Sequence, residues 1–324
     1  MQPIVENFVD QFLPLPDPKS VGKTPGKIRL IHEQILNRSF MYIIADIHCF
    51  YGGLFSFGSL LTALQANRKF IYEGYYLGRD LAPARPYPKD FEIIPQITNA
   101  TKLCPGNEIS HILKHNEYYI SNVVSQCGVS IASGEKWKPD LSFIGSGTEE
   151  CRHFGLDPGG FVGWQPSSNN RRKDYPLSHW NETIRAFPDQ LFVAFTQSKE
   201  TLDSETLDLP NVRIIKGSLP VIMRLIKETR LFIGIDSGLS HIAVAMGKPT
   251  VCVCPNSHWG YFFPYPRGDG YENLHTVSHP GYIQCRGCFM TCQHEFLTST
   301  FSRGALCLRT IPPSAVINAI TEVL

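Results

Sequence analysis

The residues best placed to do chemistry lie in the run LFIGIDSGLSHIAVAMGKPTVCVCP, where Asp236, Ser237, Gly238 and His241 follow an apolar stretch in close order. An apolar strand ending at Ile235 would deliver Asp236, and Ser237-Gly238 would open the helix behind it. The start of such a helix presents backbone N–H groups and the positive end of its dipole, which suits an anion such as a phosphate. Gly238 lets that anion approach the main chain, and His241, about one turn into the helix, is spaced to meet the same ligand. A purely structural reading stands beside this one: Asp236 or Ser237 as an N-cap, and His241 as a core residue.

Two further constellations stand out. The segment QCRGCFMTCQHEF followed by Cys307 spaces four thiols as Cys285-x2-Cys288-x3-Cys292-x14-Cys307. The first two form a knuckle typical of Zn or Fe ligation, and four soft ligands without an open position suit a tetrahedral structural site. His294 is near enough in sequence to replace one of them, and a loop of reduced cysteines is the plain alternative. Cys252 and Cys254 fall on one face of a predicted strand and read as packing residues, while Cys49, Cys104, Cys127 and Cys151 lack metal-like spacing. Near the N-terminus, MYIIADIHCFYGG brings Asp46 to a strand end and His48 into the loop after it.

The elements that must position these residues follow from the apolar pattern. MYIIAD (41–46) reads as a strand, LFSFGSLLTALQANR (54–68) as a helix and FIYEGYY (70–76) as a strand, which makes a βαβ unit. Prolines 83, 86, 88 and 95 interrupt every periodicity between 80 and 140. Beyond 155, strands at 160–166, 191–196, 212–215, 231–235 and 250–254 alternate with helices at 177–187, 219–229 and 237–247, with Ser178 a candidate cap for the first. A last helix starts after Pro312 and Pro313, where prolines suit a helix start. Short apolar strands separated by helices imply a parallel sheet buried on both faces. At 324 residues the chain exceeds the usual single core, so two α/β domains are expected, 1–155 and 156–324, with a cleft between them.

The string D-S-G-x-x-H-x-A-x-A-x-G-x-P-T-V resembles the signature of glycosyltransferase family 9, the ADP-heptose:lipopolysaccharide heptosyltransferases and their relatives. GWQPSSNNRRKDYPLSHW is similar to that family's Pro-containing phosphate loop with its Lys, and CLRTIPPSAVINAI to its closing Cys, Ile-x-Pro, helix pattern. The resemblance covers roughly residues 140–324. It implies a GT-B architecture of two Rossmann-like domains, a nucleotide-sugar donor such as ADP-heptose held mainly by the C-terminal one, and inversion without a catalytic metal. It also implies that Lys173 and the 167–170 loop, with Ser167 and Ser168, contact the donor diphosphate. Asp236 would lie against the sugar or its phosphates, and Ser237, Gly238 and His241 against the diphosphate. Arg171 and Arg172 add positive charge, though a solvated basic turn accounts for at least one of them. Glu200 or Asp203, past a strand, is placed to bond ribose hydroxyls. Protein O-heptosyltransferases of the family have a tetracysteine iron site, which the four-Cys tail resembles.

One family feature is missing. Members carry Gly-Asp after the first strand, and that Asp acts as general base; here Gly53 is followed by Leu54. The base must then come from Asp46, His48 or a more distant group such as Asp80. A binding or scaffold protein that has lost the base is the alternative reading.

Composition bounds the rest. Thirty basic against twenty-nine acidic residues leave a charge of +1, which offers no global field for nucleic acid or anionic membrane. No G-x-G-x-x-G follows a predicted strand, which argues against a dinucleotide enzyme. MQPIVENFVDQFLPLPDP lacks the basic and apolar regions of a secretory signal, and the longest apolar run is broken by Asp236 and His241. A cytoplasmic protein is expected, in a compartment that favours metal-bound thiols over disulfides. The expected partners are a nucleotide-sugar donor and a glycan or protein acceptor, with no nucleic acid; assembly into a homo-oligomer is left open.

Overall fold

The protein is described by a computed structural model, over residues 39–46, 65–72, 89, 92–94, 141–168, 170–196, 209–266, 270–286, 288 and 304–324. The chain divides into two compact units, Met1–Lys102 with Ile112–Glu135, and Leu103–His111 with Lys136–Leu324.

In the first unit, β1 (Ser39–Asp46), β2 (Gln65–Tyr72) and β3 (Glu92–Ile94) form a parallel sheet in that order. β2 starts earlier than the apolar pattern suggests. Gln65, Ala66, Asn67 and Arg68, expected as the end of a helix, are strand residues, and the strand stops at Tyr72 rather than 76. The ladder explains this: Ser39 pairs with Gln65 and Asp46 with Tyr72, so β1 draws a strand of its own length alongside it. Pairing overrides the weak helical preference of a short polar segment.

In the second unit the elements run α1 (Thr148–His153), β4 (Phe161–Gln165), α2 (Leu177–Arg185), β5 (Leu191–Thr196), β6 (Val212–Lys216), α3 (Leu219–Lys227), β7 (Leu231–Ile235), α4 (Gly238–Ala245), β8 (Thr250–Val253), β9 (Leu274–Val277), α5 (Leu306–Arg309) and α6 (Pro313–Val323). The strands lie in the order β6-β5-β4-β7-β8-β9, every neighbouring pair parallel. This is the doubly wound arrangement, in which the chain starts at the centre, builds outwards one way, and then returns to build the other. The expected strands and helices of this half are all present, with ends shifted by a residue or two. Ser178 is not the cap of α2, because Pro176 occupies the N-cap position and Ser178 falls inside the first turn.

The alternation of strand residues divides the core between two faces. Val162, Trp164, Leu231, Ile233, Ile235, Val251 and Val253 pack under Trp180 and Ile184 of α2 and Val316 and Ile320 of α6. Phe161, Val193, Phe195 and Phe232 face the other way, against Cys151 of α1, Ile222, Leu225 and Ile226 of α3 and Ala243 of α4. At Gly163 an added Cβ would lie 2.7 Å from Thr229 Cγ2 and 2.9 Å from Phe195 Cε2, so the second layer sits against bare backbone there. α4 ends in a Schellman turn: Gly247, at φ 74°, bonds back to Val244, and Lys248 to Ala243. That turn sends the chain directly into β8.

Candidate active site

The order of the strands reverses between β4 and β7, which are hydrogen-bonded neighbours. Their carboxyl ends therefore mark the switch point, where doubly wound sheets leave a crevice for ligands. Gln165 is the last residue of β4 and Asp236 follows the last residue of β7. Ser237 Oγ hydrogen-bonds Gln165 Oε1 across this gap and ties the two strand ends together. Ser237 occupies the N-cap position of α4, but its hydroxyl is committed to Gln165 and does not cap the helix. The first intrahelical bond runs from His241 N–H to Ser237 O, so the amides before it have no acceptor within the helix. Nothing lies within 4 Å of an added Cβ at Gly238, which keeps this approach to the backbone open.

Asp236 is the centre of the cluster. Its side chain is 3% exposed, and Lys173 Nζ donates to Oδ2 at 3.0 Å. His241 Nε2 lies 3.7 Å from Oδ1 and His258 Nδ1 3.9 Å from Oδ2, beyond direct hydrogen bonds but within electrostatic reach. Burial opposes ionisation of Asp236, but His241 and Lys173 outweigh it and hold the carboxyl below its usual range. The buried carboxylate is thus a tether for Lys173 rather than an exposed group. His258 behaves oppositely: burial, and then Lys173, push its imidazole down to about 4, against the pull of Asp236.

Lys173 comes from a single 3-10 turn, Arg171–Lys173, whose form is set by its own polar side chains. Asn170 Oδ1 accepts from Arg172 N–H, Ser168 Oγ donates to Asn170 O at 2.9 Å, and Ser168 N–H donates to Asp174 Oδ1 at 2.8 Å. The hydroxyl of Ser168 therefore builds the loop. Arg171 is exposed, in keeping with a solvated basic turn. The C-terminal segment braces this loop from behind: Gly304 and Ala305 N–H groups donate to the carbonyls of Arg171 and Arg172, and Tyr175 OH donates to Ile311 O. Gly304 and Ala305, just before the closing CLRTIPP motif, thus brace the Lys173 turn through the backbone, and the motif itself holds Tyr175.

The aromatic run after β8, unassigned from sequence, completes the surroundings. Lys173 Nζ lies 5.2 Å from the Phe262 ring centre, and His241 stacks on Phe263 at 4.0 Å. Tyr265 OH lies 2.7 Å from His241 Nδ1. Gln165, His258 and Tyr265 were not among the predicted residues. A polar residue closing a buried strand was a legible sign for Gln165; nothing local marks the other two.

Of the remaining predicted residues, Ser167 lies on the loop after β4 and is half-buried. Asp46 is the last residue of β1, whereas His48, Gly53, Leu54, Asp80, Glu200, Asp203, Cys292 and His294 lie outside the described residues. Cys252 and Cys254 are buried with their sulfurs 3.5 Å apart, as packing residues on one strand face should be. Cys285, Cys288 and Cys307 are half-buried thiols, and Cys288 N–H donates to Cys285 O at 3.1 Å. That turn fits a metal knuckle. Among the described residues no three potential ligands gather around one point, and Cys292 lies outside those residues.

Fold and site together define a doubly wound α/β protein with a part-buried Lys173–Asp236 ion pair flanked by histidines at its switch point. Solved glycosyltransferases share the architecture. The E. coli heptosyltransferase WaaC with ADP superposes with a TM-score of 0.60 at 14% identity, covering 94% of this chain and 82% of that one. E. coli ADP-heptose lps heptosyltransferase II gives 0.56 at 14% identity, with 94% and 81% covered. A family 9 glycosyl transferase from Veillonella parvula DSM 2008 gives 0.56 at 16%, with 96% and 80% covered. At these identities the likeness carries the fold, GT-B. No curated protein sequence matches the chain. Over residues 138–278 the chain matches the family model of glycosyltransferase family 9 (heptosyltransferase).

Proposed function

We propose that the protein transfers a sugar, heptose first among candidates, from a nucleoside-diphosphate donor such as ADP-heptose to a hydroxyl of a glycan or protein, with inversion. The observation that carries this reading is the Lys173–Asp236–His241 cluster beside the first amides of α4. When the bond from the anomeric carbon to the phosphate oxygen breaks, its electron pair leaves with the nucleoside diphosphate. Fixed N–H donors and a tethered Lys stabilise that growing charge without having to reorganise. Ser167, Ser168 and Gly238 line the approach of the diphosphate, and Glu200 bonds the ribose. Residues 156–324 hold the donor and residues 1–155 the acceptor. The acceptor hydroxyl passes its proton to Asp46 or His48; support for Asp46 is its place at the carboxyl end of a parallel strand. Cys285, Cys288, Cys292 and Cys307 hold a structural Zn or Fe, a reading supported by the knuckle turn at Cys285–Cys288.

Incubating the purified protein with ADP-heptose, and separately with other nucleotide sugars, tests the donor. Release of ADP that depends on Lys173 is the expected outcome; indifference to every nucleotide sugar refutes it. Asp46→Asn and His48→Ala variants then assign the base, and full activity in both removes them from the mechanism.

A further inference from the structure

His241 is held from several sides by residues that no motif singled out. Its ring lies flat on Phe263 at 4.0 Å and 5° and meets the Tyr265 ring edge-on at 5.9 Å. The Tyr265 hydroxyl is 2.7 Å from Nδ1, while Nε2 faces Asp236 Oδ1 at 3.7 Å. Tyr265 is itself anchored by stacking on Tyr271 at 4.3 Å. These positions determine which ring nitrogen bears hydrogen. An ionised carboxylate only accepts, so the nitrogen turned toward Asp236 carries N–H. In the neutral imidazole the other nitrogen is then bare and accepts from the Tyr265 O–H. Burial pushes the Tyr265 phenol up, so it keeps the proton that it donates.

We propose that Tyr265 is a positioning residue that locks His241 in the Nε2–H tautomer, so that the site presents a donor rather than a lone pair to an anionic ligand. The inference rests on the reading of this site as a diphosphate pocket. The opposite tautomer would turn a lone pair toward both Asp236 and an incoming phosphate oxygen, adding repulsion where attraction is needed. The packing serves orientation, since a ring stacked on Phe263 cannot rotate freely to exchange its two nitrogens.

Nitrogen-15 NMR of the histidine side chains, with His241 assigned by comparison with His241→Gln, reads the tautomer directly. In the unsubstituted protein we expect a protonated Nε2 and an Nδ1 shifted as a hydrogen-bond acceptor; a protonated, neutral-ring Nδ1 overturns the proposal, whether or not any variant folds. Tyr265→Phe keeps the ring and its stack on Tyr271 and removes only the hydroxyl. It should give a mixture of tautomers and weaken ADP binding by about fivefold to tenfold, the loss typical of one hydrogen bond, with the melting temperature little changed. Retention of the pure Nε2–H form in Tyr265→Phe also overturns it. ADP that fails to bind the unsubstituted protein would instead refute the diphosphate reading, because the tautomer is measured without ligand.

Discussion

Asp236 is a buried carboxylate whose close partner is Lys173, so removing the amine should be worse than removing both groups. Lys173→Met is expected to destabilise the fold by about 3–5 kcal/mol, and Lys173→Met with Asp236→Leu by less; denaturant melts of the two variants check this. His258 yields a pH prediction with a definite sign. In the unfolded chain it takes a proton near 6.5, but in the fold only near 4, so the unfolded state binds more protons between these values. Stability should therefore fall as pH drops from 6.5 towards 4, by on the order of 3 kcal/mol at most, and be unaffected by His258 above that window. Asp236 does not blur the result, because its own stabilisation is lost only below its ordinary value of 3.8. His258→Gln should flatten the slope in melts run at successive pH values; an unchanged slope would show that another group carries it.

At the level of elements, the start of α4 is set by how closely that helix approaches β7. At Gly234 an added Cβ would lie 2.8 Å from Ser240 Oγ, which donates to Ile235 O at 2.7 Å. Gly234→Ala should cost about 1–3 kcal/mol through overpacking and weaken ADP binding by displacing Ser237. Gly238 gives the contrasting case. An added methyl meets no protein atom, and alanine favours a helix over glycine by up to about 1 kcal/mol. Gly238→Ala should melt no lower than the parent yet bind ADP more weakly, since the methyl occupies the space the anion needs. Calorimetry showing unchanged ADP affinity would place the diphosphate elsewhere.

For the whole molecule, the tail from Cys285 to Cys307 meets the Lys173 loop through Gly304 and Ala305, whose amides bond Arg171 and Arg172. A metal held by the tail would therefore reach the Lys173 loop mechanically. Purified protein is expected to carry about one equivalent of Zn or Fe, lost when Cys285 and Cys288 become Ser, with a lower melting temperature and weaker ADP binding. Elemental analysis decides it: metal-free protein with unaltered melting would remove the metal from the structure.

The parallel sheet, its double covering and the strand–turn–helix at Asp236–Gly238 were legible from the sequence alone. They rest on local physics: apolar strands of a few residues, helices between them, a Gly where the backbone must be open and a polar residue at a strand end. β2 was misplaced because the strand beside it, far away in sequence, decides where it begins. The fate of Asp236 was likewise undecided, since its spacing from Ser237 fits a cap as well as a ligand. Only the tertiary structure brings Lys173, His241 and His258, from three separate segments, around one buried carboxylate, with Tyr265 against His241. Burial and charge there depend on neighbours distant in the chain, and such neighbours leave no local pattern to read.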